Sequence, residues 1–161
     1  MKFFLTGIIG LLGFVGDSYS PEEMRFVGST PCHELLNVVL DKPHQSKCEF
    51  MKWDLLINRD YTVILKITYG ESQPNTNGFK PGKVEKNLSG KLSWQGNTWK
   101  IKLADDRELT FHKLDNNVLH LMNGKEFLTG NGGFSFTLNR TQPDLGGMII
   151  EDTSEEIYPH D

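Results

Sequence analysis

Large apolar residues recur at every second position through most of this chain. Between Cys48 and Ile57 they fall at Met51, Trp53, Leu55 and Ile57, and between Tyr61 and Tyr69 at Val63, Leu65, Ile67 and Tyr69. That is the period of a strand with one buried face. Asn58-Arg59-Asp60 reads as the loop of a hairpin, which sets Ile57 opposite Tyr61, Leu55 opposite Val63, Trp53 opposite Leu65 and Met51 opposite Ile67. A slip of one residue would set Trp53 against Lys66 and bury an unpaired ammonium.

The same alternation continues downstream. Leu88, Gly90, Leu92 and Trp94 lead into a Gly96-Asn97 turn, and Trp99, Ile101 and Leu103 follow it, so a two-residue connection pairs Trp94 with Trp99 and Leu92 with Ile101. Leu109–Leu114, Val118–Met122 and Lys125–Thr129 read as three more strands, joined by Asp115-Asn116-Asn117 and by an Asn123-Gly124 turn. Phe134, Phe136 and Leu138 share one face of a last strand ending at Arg140. Upstream, Met24–Gly28 is a short first strand stopped by Ser29-Thr30-Pro31. Cys32, Leu35, Leu36, Val39 and Leu40 then fall on one face of a short helix, with Pro31 and Glu34 in its first turn. About nine one-sided strands joined mostly by tight turns predict an all-β fold, a small antiparallel up-and-down β-barrel carrying one short helix.

The ends of the chain break this pattern. Met1-Lys2, an apolar run from Phe3 to Val15 and then Gly16-Asp17-Ser18 have the form of a secretory leader over residues 1–18. No cysteine follows that run closely enough for a lipid-anchored amino terminus. A mature protein without a membrane anchor, periplasmic or secreted, is therefore expected. The barrel is assigned to residues 19–141. Residues 142–161 carry Asp144, Glu151, Asp152, Glu155, Glu156 and Asp161 with no Lys or Arg, an acidic tail expected to be disordered. Setting the tail and leader aside turns the −4 of the whole 161-residue chain into about +2. With no basic stripe, a nucleic-acid partner is not expected.

Export makes Cys32 and Cys48 a candidate disulfide. It would close a ring of roughly 17 residues, worth roughly 3 kcal/mol in the chain-entropy model. The alternative is a metal cluster of Cys32, His33, His44, Cys48 and Met51, which lacks Cys-x-x-Cys spacing. A second metal candidate lies downstream. If Asp115-Asn116-Asn117 is a three-residue loop, His112 faces His120 with Met122 further along the same face, a set whose thioether would favour copper. No Gly-x-Ser-x-Gly elbow, His-Glu-x-x-His pair or phosphate-binding glycine loop is present, so no enzyme activity is expected. The stretch from Gly70 to Gly82 is longer than a hairpin needs and rich in Gly, Pro and Asn. It is expected to form part of the rim of the barrel's open end, with Gln73, Asn75, Asn77 and Phe79 as contacts for a ligand or partner, and to be dispensable for folding.

Phe26-Val27-Gly28-Ser29-Thr30-Pro31-Cys32, Leu119, the Asn123-Gly124 turn and Phe134–Arg140 resemble the opening and closing segments of the amino-terminal domain family of the NlpE copper-resistance and surface-sensing lipoproteins. The resemblance implies a lipocalin-like barrel in the bacterial envelope, concerned with copper or envelope stress. The family's Cys-x-x-Cys is absent, since Leu35 stands where its second cysteine would be, so only Cys32 transfers by position. The resulting expectation is a non-enzymatic exported barrel that binds a small ligand or an envelope protein, with a copper-binding or copper-responsive envelope protein as the alternative.

Overall fold

A computed structural model describes residues 22–34, 36 and 47–142. The expected leader, most of the expected helix and nearly all of the acidic tail lie outside those residues. Among the described residues nine strands run in chain order: β1 (Met24–Pro31), β2 (Phe50–Ile57), β3 (Thr62–Gly70), β4 (Val84–Gln95), β5 (Thr98–Leu103), β6 (Glu108–Lys113), β7 (Val118–Asn123), β8 (Glu126–Phe127) and β9 (Thr137–Thr141). Consecutive strands pair antiparallel from β1 through β8, and β9 pairs with both β7 and β1, which closes the sheet. The result is an eight-stranded up-and-down barrel, with the two-residue β8 folded back on the end of β7. Closure leaves no long edge for pairing with another chain.

The inward phase of the alternation fills the barrel. Phe26, Met51, Leu55, Ile57, Leu65, Ile67, Tyr69, Ile101, Phe111, Phe136 and Leu138 are all essentially inaccessible to solvent. An eight-stranded barrel has just enough room for its own side chains, and here they occupy it. Trp53 joins them and donates its indole N–H to Thr30 Oγ1 at 2.8 Å. Two glycines allow the wall to close. A Cβ on Gly28 would lie 2.5 Å from the Thr137 carbonyl oxygen, where β9 crosses β1, and one on Gly90 would lie 2.5 Å from that of Lys102. Gly90 pairs with Val63 on one side and Leu103 on the other, at the point where β4 passes from β3 to β5.

Several expected details shift. The β2–β3 register is Ile57↔Val63, Leu55↔Leu65, Trp53↔Ile67 and Met51↔Tyr69, two residues from the expected one. The connection is longer because Asp60 Oδ1 accepts from the Thr62 amide and hydroxyl, while the Asn58 amide donates to the Thr62 carbonyl. A two-residue slip keeps every side chain on its face, so periodicity is blind to it. β1 runs on through Ser29-Thr30-Pro31 to pair Pro31 with Phe50. The turn after β7 is Gly124-Lys125, with Asn123 paired to Glu126, and the strand expected over Lys125–Thr129 shrinks to Glu126–Phe127. The last strand begins at Thr137. Before it, Asn131 Oδ1 accepts from the Gly133 and Phe134 amides and turns the chain, so Phe134 leaves the inward face that Phe136 and Leu138 keep.

Candidate functional site

The two ends of the barrel differ. At one end Cys32 and Cys48 are bridged, with Cα atoms 5.9 Å apart, and Leu36 is fully buried against the core. Its amide donates to the His33 carbonyl at 3.0 Å, and the His33 ring packs edge-on against Phe136 at 5.8 Å. Residues of the expected soft-ligand cluster are thereby committed: both thiols to the bridge and Met51 to the core, while His44 lies outside the described residues.

The long loop stands at this same plugged end, since Gly70 pairs with Phe50. Its Glu71, Lys80, Pro81 and Gly82 line a small cleft of about 180 Å³ there with Lys47, Tyr69 and Val84, and Gln73, Asn75, Asn77 and Phe79 are not part of that lining. Ser72 bridges to Phe79, the Gln73 amide donates to Gly78, and Lys80 donates to the Glu71 backbone and carboxylate. Phe79 stacks on Phe50 with centroids 4.2 Å apart and planes 7° from parallel, and Phe134 stacks on Phe50 at 5.1 Å. Phe50 belongs to the outward phase of β2, so this stack lies on the outer wall and reduces Phe50 to 2% exposure. Gln73, Asn75 and Asn77 project into solvent beyond it.

The other end is open. Glu22, Met24, Tyr61, Leu92, Trp94, Trp99, Lys113, Asn116 and Arg140 line a cleft of about 280 Å³ there. Its residues come from the inward phase of several strands, one step past the packed core. Trp94 follows Leu92 on β4, Lys113 follows Leu109 and Phe111 on β6, and Arg140 follows Leu138 on β9. Leu92 and Trp99 are buried and form the floor, while Trp94 stands 51% exposed above it. Gly96, at φ 56°, makes the two-residue turn that places Trp94 opposite Trp99. Tyr61 packs against Trp94 with centroids 4.7 Å apart. It holds a left-handed backbone at φ 64°, costly for a bulky side chain, and is fixed there by its amide donating to Asn58 and its carbonyl accepting from Leu92.

Two cations complete the cleft. Lys113 Nζ lies 5.6 Å from the centre of the Trp99 ring and has no carboxylate partner among the described residues. Arg140 donates to Glu22 Oε2 at 2.9 Å. The carboxylates of the neighbouring turns serve those turns: Asp115 accepts from the Asn117 amide, and hydrogen bonds from the Thr62 hydroxyl and amide hold the Asp60 carboxyl below the usual carboxylate range. The arrangement can stack a flat apolar group and offer it positive charge.

The histidine pair sits on the wall. His112 and His120 do face each other across β6 and β7, as the three-residue loop predicts. Phe127 of β8 packs edge-on against both, at 5.3 and 4.9 Å, and His120 Nε2 lies 2.9 Å from the Leu128 carbonyl oxygen. Met122, on the same strand, pairs with Thr110 and is buried. Among the described residues no three His, Cys, Asp or Glu side chains come together in a way that could hold a metal ion.

Of the residues expected to form the site, the cysteines and histidines are brought together in their pairs, and Phe79 stacks on Phe50 on the outer wall. The sequence reading passed over Tyr61, Trp94, Lys113 and Arg140. The signal available was the inward phase running on past the apolar residues into a cation. Comparison with known proteins finds no matching family model, curated protein or solved structure.

Proposed function

We propose that this protein is a non-enzymatic exported binding barrel that engages a small ligand or an envelope partner through the cleft between Tyr61, Trp94, Trp99 and Lys113. One observation carries this reading. The barrel interior is filled, one end is plugged by the disulfide and Leu36, and the open end keeps a half-exposed Trp94 beside Lys113, which has no carboxylate partner among the described residues. Exposing an indole costs hydrophobic stabilisation that burial would supply, and a strained Tyr61 is retained beside it. The charged groups of the lining are two cations and a carboxylate already paired with one of them, and Asn116 and Tyr61 add neutral polar groups, a set suited to recognising charge. The disulfide supports export, because such bonds persist in oxidising compartments.

The likeness to the NlpE amino-terminal domains is kept within this proposal. Its two quoted ends form β1 and β9, which are neighbours in the wall, with Val27 paired to Asn139. The copper reading draws less support, because His120 Nε2 already faces the Leu128 carbonyl and Phe127 lies against both rings.

A fragment screen read by the indole N–H NMR signals of the three tryptophans tests the proposal. Binders are expected to move the Trp94 and Trp99 signals and leave Trp53 as an internal reference. Binders that act only on the Gln73–Asn77 loop or on the histidine wall would contradict it.

A further inference from the structure

We infer that the ligand of the cleft is a small organic anion with one flat ring system, of the aryl carboxylate class. This rests on the mouth being the binding site.

Flatness follows from the walls. Tyr61 and Trp94 meet with planes 52° apart, and the indole stands half-exposed beside a buried floor of Leu92 and Trp99. Beneath that floor lie Phe26, whose ring packs edge-on against Trp99 at 6.2 Å, and Ile57 and Ile101, all without solvent access. An acyl chain long enough to need a deep calyx therefore has nowhere to go. A ring can lie across the opening and stack, as aromatic groups prefer. The cleft, about 280 Å³, falls just below the roughly 300–1,000 Å³ of sites for drug-sized molecules, which limits the guest to about one ring system.

Charge follows from the rim. Lys113 is held in place by the face of Trp99 and is not neutralised by a carboxylate among the described residues. Arg140 is tied to Glu22, whose side chain is 74% exposed, so this second cation is partly compensated by a solvated partner. The described residues of the lining therefore place a net positive charge directly beside the stacking surface. A carboxylate attached to a stacked ring would accept a charge-assisted hydrogen bond from Lys113 Nζ.

Three probes that share one ring system separate shape from charge: naphthoate, naphthylmethanol and naphthylmethylammonium, titrated into the intact protein while the three indole signals are followed. Naphthoate is expected to give saturable shifts at Trp94 and Trp99 and none at Trp53, whose N–H is donated to Thr30 inside the barrel. The alcohol should bind roughly tenfold more weakly and the ammonium more weakly still. Lys113→Gln should bring the acid down to the level of the alcohol, and Trp94→Ala should weaken all three. Both side chains are at the rim, and circular dichroism checks that each variant is folded. Equal binding of acid and alcohol, or an acid preference that survives Lys113→Gln, would overturn the anion assignment while leaving the mouth as the binding site. Silence of all three probes at Trp94 would also overturn it, and the fragment screen then decides separately whether the mouth binds anything.

Discussion

The two ends of this barrel carry their aromatic residues in opposite ways. At the plugged end, Phe79, Phe50 and Phe134 stack nearly parallel, and a long polar loop is folded around the first of them. At the open end, Tyr61 and Trp94 meet at a slant, and tight turns hold them beside a cation. In the proposed function the longer loop is scaffold and the shorter turns carry the recognition surface. Loop length alone does not separate the two roles, because a long loop costs little entropy and can be recruited as a staple as readily as a lid.

The sharpest way to break this contrast is to remove the plug. Leu36→Ala empties a fully buried site and is expected to cost about 3 kcal/mol, measured by denaturant unfolding. Replacing Cys32 and Cys48 together with alanine should cost a similar amount, roughly 3 kcal/mol, by releasing the ring they close. Neither change should move the indole signal of Trp94. Phe79→Ala removes one face of the stack on Phe50 and should cost about 1–2 kcal/mol, against the expectation that the loop is dispensable.

A smaller effect lies on the outer wall. Arg25 grips Asp54 with two hydrogen bonds of 2.8 Å, and these hold the Asp54 carboxyl below its ordinary value of 3.8. A carboxylate depressed in the folded state stabilises fully above the unfolded value and loses that contribution as pH falls through the folded one. Asp54→Asn should therefore cost about 1 kcal/mol at neutral pH, a modest figure because the pair is partly solvated, and the difference from the parent should shrink below about pH 4. Smallest of all, Trp94→Ala should change stability by about 0.5 kcal/mol or less, since its side chain is half in water.

Much of the fold was legible because alternation is a direct consequence of strand geometry. The β4–β5 hairpin, with Trp94 opposite Trp99, and the facing of His112 and His120 follow from turn length alone. The β2–β3 register was not legible, because the extra loop residues depend on Asp60 capping Thr62 and on Tyr61 accepting a left-handed backbone that an aromatic residue normally avoids. Phe134 was misplaced for a similar reason, the Asn131 turn diverting it from the face that Phe136 holds. The mouth was missed because alternation was followed only while residues stayed apolar. Lys113 and Arg140 continue the inward phase of Phe111 and Leu138, and a charge in that phase marks where a filled barrel meets water.

The division of labour between the two ends is tested most directly by measuring the unfolding midpoint and the naphthoate affinity of Phe79→Ala and Trp94→Ala side by side. That division of labour predicts a crossed result: Phe79→Ala lowers the midpoint and leaves affinity unchanged, while Trp94→Ala leaves the midpoint within error and weakens binding at least tenfold. Loss of affinity in Phe79→Ala, with Trp94→Ala binding as the parent does, would place recognition on the long loop and contradict it.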